Sequence, residues 1–128
     1  MIRLNRKLDQ NEISKFNSFI SRRSFYEPIA YILEEKEFWS KMFFVNHATL
    51  IPRPETELMV ERLVKIYKSK AINILDAGIG SGCILISLLT ELKKSKGTGI
   101  DVSQRALLVT KKNVKRHKME DKIRLYKK

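Results

Sequence analysis

The run Ile72-Asn-Ile-Leu-Asp-Ala-Gly-Ile-Gly-Ser-Gly-Cys-Ile-Leu-Ile-Ser-Leu-Leu89 constrains the fold more than any other part of the chain. A β-prone segment, Ile72–Asp76, leads into three glycines at alternate positions and then into an apolar stretch of helical length. Glycine in such a turn can take positive φ and, lacking Cβ, lets another group approach the backbone. Cys83–Leu89 is apolar almost all round, which predicts a helix covered on both sides. Downstream, Thr98–Asp101 reads as a second strand, Ser103 as a helix cap, 104–117 as a helix and Lys122–Tyr126 as a third strand. Strand, glycine turn, helix, strand, helix, strand is the pattern of one mononucleotide-binding half of a doubly wound α/β sheet.

Upstream, Ile13, Phe16, Phe19 and Ile20 recur at helical spacing, so 9–34 reads as helical with a break or restart at Pro28. The aromatic stretch Glu37–Val45 predicts one or two short strands. Pro52 and Pro54 stiffen Leu50–Glu57 into a loop, because each proline fixes its own φ and restricts its predecessor. A helix over about 55–69 carries the stripe Met59, Val60, Leu63, Val64 and Tyr67, with Glu55 and Glu57 where a helix start favours negative charge.

Between the first strand and its helix, the turn Gly78-Ile79-Gly80-Ser81-Gly82 offers backbone N–H groups at a helix N-terminus to an anionic part of a ligand. A dinucleotide fingerprint, G-x-G-x-x-G/A, needs its third small residue at position 83, which is Cys83, and no G-K-[ST] triplet closes a P-loop. The G-x-G-x-G form after Asp76 points instead to a methyltransferase turn, where the anion is the carboxylate of S-adenosylmethionine. A glycine turn without a ligand is the alternative. Asp101 ends the second strand beside the turn, where a carboxylate can accept hydrogen bonds from both ribose hydroxyls. It could instead be a helix-start charge next to Ser103.

Together, Ile51-Pro-Arg-Pro-Glu-Thr-Glu57, Asp76-Ala-Gly-Ile-Gly-Ser-Gly-Cys-Ile84 and Gly99-Ile-Asp-Val-Ser103 resemble the HemK-type glutamine methyltransferases. Arg22, Arg23, Pro28–Ile32, Glu37, Phe38, Phe44, Leu50, Ala106, Leu107 and Asn113 also fit that family. The resemblance runs from about residue 12 to 126, and the I-P-R-P-E-T-E run is its most specific part. It implies S-adenosylmethionine as cofactor and, as substrate, the glutamine of the Gly-Gly-Gln loop of peptide chain release factors. It implies that Gly78, Ile79, Gly80, Ser81 and Gly82 line the methionine part of the cofactor and that Asp101 holds the ribose. Arg53, Pro54 and Glu55 would pack near that pocket. Ile79 stands where the family usually has threonine.

The fold class expected is therefore α/β: a partial doubly wound, Rossmann-like class I methyltransferase sheet with its first three strands, a short helical N-terminal segment (1–34) and a small β-hairpin opening the 35–128 domain. The resemblance also implies shortening at both ends. The family's Asn-Pro-Pro-Tyr loop, whose asparagine holds the attacking amide nitrogen, has no counterpart among these 128 residues, and no two of their three prolines are adjacent. Cofactor binding without turnover is the expectation, since positioning supplies a large part of such catalysis. In the usual order 3-2-1-4-5 the first strand is central, so Ile72–Asp76 should present a bare edge. The apolar helix 83–89 should lose part of its cover, and the chain alone should be poorly soluble.

Composition narrows the remaining readings. No apolar run reaches membrane-spanning length and no signal-peptide pattern opens the chain, so an intracellular, cytoplasmic protein is expected. A single cysteine, Cys83, forbids an internal disulfide, and its expected role is packing. His47 and His117 are isolated, so no metal is expected. The net charge of +12 gathers in Lys111–Lys128, which could meet nucleic-acid phosphates, although no aromatic is interleaved in Lys111–Lys122 and a solvated helix face explains it as well. Trp39, Phe38, Phe43 and Phe44 read as a core cluster rather than a stacking surface. Two alternatives stay open: a fragment of a nucleic-acid amino-methyltransferase, and a non-catalytic remnant or binding module that pairs with another chain.

Overall fold

The computed structural model describes residues 6–128; the first five residues of the expected helical segment 1–34 lie outside the described residues. Helix α1 (Gln10–Ser24) starts at a capping box in which the Asp9 carboxylate accepts the Glu12 N–H and the Glu12 carboxylate accepts the Asp9 N–H. None of its residues is buried, and Ile13, Phe16 and Ile20 form an exposed apolar stripe. The chain breaks at Phe25–Pro28, as Pro28 predicts, and continues as the short helix α2 (Ile29–Leu33). Arg22 links the two helices: its guanidinium donates to both Glu27 carboxylate oxygens and to the Tyr31 carbonyl. Hydrogen bonds also cross position 34/35, from Val45 N–H to the Glu34 carbonyl and from the Tyr31 hydroxyl to the Thr49 carbonyl.

Strands β1 (Glu35–Phe38) and β2 (Lys41–Phe44) form an antiparallel hairpin with Phe38 opposite Lys41. Its two-residue loop, Trp39-Ser40, places both residues at φ +52. Such hairpin loops match the strand twist but normally use glycine or asparagine. Here the loop is tied down from outside: Trp39 N–H donates to Glu57 Oε1 at 2.7 Å and Trp39 Nε1–H to Glu91 Oε1 at 3.0 Å. A 3-10 turn at Pro54–Thr56 leads into α3 (Glu57–Tyr67).

The remaining elements are β3 (Asn73–Ala77), α4 (Cys83–Glu91), β4 (Lys96–Asp101), α5 (Gln104–Arg116) and β5 (Ile123–Lys127). Their strands form a parallel sheet in the order β3-β4-β5. Among the described residues β3 pairs only with β4, so the bare edge expected of Ile72–Asp76 is present.

The expected exposure of the 83–89 helix is not. Cys83, Leu85, Ile86, Ser87, Leu88 and Leu89 are all buried, because α3 and the hairpin side chains Phe38 and Phe43 close over α4 from one side and the sheet supports it from the other. Gly97 lies directly under Leu85. Periodicity could not show that the hairpin supplies this cover, since that contact joins residues far apart in sequence. The sheet's exposed apolar side chains lie instead on its opposite face, where Leu75 is 65% exposed and Tyr126, paired in register with Ile100, is 48% exposed.

Candidate functional site

The glycine turn crosses the C-terminal end of β3 with Gly78, Gly80 and Gly82 all at positive φ. A Cβ on Gly78 would meet nothing within 4 Å, whereas one on Gly82 would approach Thr110 Cγ2 at 2.9 Å. The first glycine thus faces open space, and the last lies against α5. Gly80 N–H donates to Asp101 Oδ2 at 3.1 Å, and Ser103 N–H donates to Asp101 Oδ1 at 2.8 Å. The turn and the acid at the end of β4 therefore meet at one place, and Asp101 also orders the start of α5.

The amides free to receive an anion are fewer than the sequence suggests. Gly78 and Ile79 both donate to the Ile100 carbonyl, Gly80 to Asp101 and Gly82 to the Ile79 carbonyl. Only Ser81 N–H in the turn has no acceptor among the described residues, and Ser81 is 4% exposed. The first N–H groups of α4 follow it. The Ile79 side chain turns into the core above Gly99, so its part in the site is structural. Arg53, Pro54 and Glu55 are exposed, while Glu57 holds the hairpin loop.

Asp76 is the residue that sequence reasoning left out of the site. One of its carboxylate oxygens, Oδ2, is buried without a hydrogen-bond partner. Burial first, then the charge of Asp101, push its carboxyl above the ordinary range, and the Leu85 backbone acts weakly in the other direction. An orphaned carboxylate oxygen beside an open glycine turn suits a cationic ligand group. The aspartate preceding the glycines was the available signal. Two carboxylates, an N–H without an acceptor and no obstructing side chain at Gly78 fit a ligand bearing both an ammonium-carboxylate end and vicinal hydroxyls.

The other candidates fall elsewhere. Cys83 is buried and its burial pushes the thiol up, which opposes reactivity. His47 pairs with Glu27 and His117 contacts the Met42 carbonyl; no group of metal-ligating residues occurs among the described residues. Phe38 and Phe43 are core residues. The basic C-terminal stretch is partly engaged: Lys112 lies 3.2 Å from the Phe44 ring centroid, Arg116 pairs with Glu35 and Lys122 donates to the Lys93 carbonyl. No described helix is long and apolar enough to cross a membrane.

A three-stranded parallel sheet with this turn and these acids at its C-terminal end is a partial class I methyltransferase fold. Solved structures share it. A precorrin-8w decarboxylase from Methanobacterium thermoautotrophicum superposes over 66% of this chain and 44% of its own (TM-score 0.56, 23% identity). A precorrin-6y C5,15-methyltransferase from Geobacter metallireducens superposes over 66% of this chain and 44% of its own (TM-score 0.55, 18% identity). Residues 53–128 match the model of the methyltransferase small domain, and the chain belongs to that family. Among curated relatives, the release factor glutamine methyltransferase of Nitratidesulfovibrio vulgaris is 39% identical over 91% of this chain and 40% of that protein. That of Buchnera aphidicola from Acyrthosiphon pisum is 44% identical over 84% and 39%. A bifunctional methyltransferase of Rickettsia typhi is 37% identical over 98% and 28%. The chain thus spans about 40% or less of the length of these relatives.

Proposed function

We propose that this chain is the S-adenosylmethionine-binding part of a release factor glutamine methyltransferase. The observation that carries the reading is the Gly80–Asp101 hydrogen bond, which joins the glycine turn to the end of β4. A ligand lying across the ends of β3 and β4 would meet three groups in turn. Asp101 would accept from its ribose hydroxyls, Ser81 N–H and the α4 start would receive its carboxylate, and Asp76 would face its ammonium. When bound, the cofactor supplies an electrophilic methyl group. The relatives named for release factor glutamine support the substrate class: a protein side-chain amide in the Gly-Gly-Gln loop. The group that holds that amide nitrogen would come from outside these 128 residues, which contain no Asn-Pro-Pro-Tyr. Binding without turnover is the activity expected of this chain, in a cytoplasmic setting.

Titration calorimetry with S-adenosylhomocysteine tests the binding reading. A hydrogen bond to a charged group contributes about 1.5–3 kcal/mol, so Asp101→Ala should weaken affinity at least about tenfold. Unchanged affinity would remove the ribose assignment. Supplying the missing portion of a relative in trans tests the substrate: methyl transfer to a release factor supports the reading, and transfer to DNA or RNA would replace it. Nucleic-acid binding by Lys111–Lys128 has less support, since Lys112, Arg116 and Lys122 already have protein partners. The exposed stripe of α1 suits a proposed role for residues 1–34 as the end of a recognition segment.

A further inference from the structure

Behind the glycine turn, α5 presents two polar side chains that are fully buried, Thr110 and Asn113, one helical turn apart. Neither reaches the open side of the site. Thr110 Oγ1 lies 2.7 Å from the Gly80 carbonyl and 3.1 Å from the Ala106 carbonyl of its own helix, its hydroxyl hydrogen donating to this pair of acceptors. Asn113 Nδ2 donates to the Ser81 carbonyl at 2.8 Å and to the Phe44 carbonyl at 2.9 Å, while Oδ1 accepts the Phe44 N–H at 2.7 Å. The Asn113 amide has thereby used both its protons, and it completes the outer edge of β2 as a neighbouring strand would.

We propose that Thr110 and Asn113 are positioning residues that aim the Ser81 N–H at the anionic end of the ligand, with Asn113 tying that orientation to the hairpin. The argument follows from peptide geometry. A trans peptide is planar, so its C=O and N–H point in opposite directions. No peptide among the described residues is cis. Drawing the Gly80 carbonyl toward Thr110 turns the Ser81 N–H of that same peptide away from α5, toward the open side. Fixing the Ser81 carbonyl on Asn113 holds the next peptide, whose N–H closes the turn onto the Ile79 carbonyl. A turn of three glycines has unusual backbone freedom, and these two bonds remove it at the one N–H that has no acceptor of its own. Pre-set donors cost no reorganisation when the ligand arrives. A Cβ at position 82 would meet Thr110 Cγ2, so glycine there is what lets the turn lie against α5.

The inference rests on the cofactor reading above, and paired ligands separate the two. S-adenosylhomocysteine carries the amino-acid end that Ser81 would receive; 5′-methylthioadenosine carries the ribose and adenine without it. In calorimetry on the whole chain, Thr110→Val should lower S-adenosylhomocysteine affinity about tenfold and leave methylthioadenosine affinity unchanged. Thr110→Ser should restore it. Asn113→Leu should show the same selective loss together with faster amide hydrogen exchange at Phe44; should that variant fail to fold, the Thr110 pair carries the test. Leu89→Ala, a core truncation, serves as a control that lowers the melting temperature without selective loss. Equal loss of both ligands in Thr110→Val, or no loss of either, overturns the positioning role while leaving the cofactor reading intact. A native chain that binds neither ligand overturns both.

Discussion

Asp76 and Asp101 lie on adjacent parallel strands, Asp101 two residues beyond the register partner of Asp76, and after its own burial it is the charge of Asp101 that holds the Asp76 carboxyl above its ordinary range. A raised carboxyl means that the folded chain binds more protons than the unfolded chain between the usual aspartate value of 3.8 and the raised one. Stability then falls as pH rises through that window, and the cost persists at neutral pH. Asp76→Asn should therefore raise the melting temperature of the free chain by a few degrees at pH 7 and give no gain below pH 3.8. The same substitution should weaken S-adenosylmethionine binding, because the group facing the ammonium is gone. Thermal melts at two pH values with a parallel titration check both signs. A variant that is less stable at pH 7 would contradict the assignment of Asp76 as an uncompensated charge.

The parallel sheet was legible in the sequence because its signals are local. The glycines, the Ser103 cap and the apolar run each act within a few residues, and the elements from β3 to β5 fall within one residue of expectation, save that β4 starts at Lys96 rather than Thr98 and α4 runs on to Glu91. The place of Asp101 at the end of β4 was legible for the same reason. What was not legible depends on long-range partners. The hairpin loop carries no Asn-Gly, so nothing local marks Trp39-Ser40; its conformation depends on Glu57 and Glu91. Which turn amides remain free depends on Ile100 and Asp101, and no reading of Gly78–Gly82 alone reveals it.

The hairpin loop can be tested by giving it the residue its geometry favours. Two non-glycine residues at φ +52 each carry a left-handed cost of about 1–2 kcal/mol. Ser40 is exposed, so Ser40→Gly should stabilise the chain by about 1 kcal/mol with no lost contact. Glu57→Ala removes the acceptor of the Trp39 N–H and should destabilise by about 1–3 kcal/mol. Urea unfolding of the two variants reads both. The I-P-R-P-E-T-E run thus contributes to folding through its last residue, by fixing a loop 18 positions upstream.

At the α1–α2 corner the Arg22 guanidinium, and then His47, hold the Glu27 carboxyl down at about 2. A lowered carboxyl contributes stability that is present above its usual value of 4.5 and lost as pH falls through about 2. Native protein should keep α1 docked on α2 down to pH 3, and Glu27→Gln should show a weaker corner at neutral pH with no further loss between pH 4.5 and pH 2 that is specific to this site. The pair is only half-buried, so salt should shrink the difference. Arg22 side-chain and α2 amide NMR signals followed through an acid titration give the measurement.

Leu75 lies where two weaknesses coincide: it is on the unpaired edge strand β3 and on the uncovered face of the sheet, 65% exposed. An edge strand offers unpaired backbone groups, and an apolar side chain on it adds surface that water disfavours. The chain carries a net charge of +12, which keeps copies apart at low salt. Self-association should therefore rise with salt, as screening weakens repulsion while apolar attraction persists. Leu75→Lys puts a charge on both the edge and the face and should abolish that salt-dependent association, with little effect on the melting temperature because almost no contact is lost. Tyr126→Lys changes the face but leaves the edge, so it should give an intermediate result. Sedimentation velocity at low and high salt distinguishes the three chains. A native chain that stays monomeric at high salt would show that neither the edge nor the face of β3 drives association, and would remove the physical basis for expecting this chain to need a covering partner.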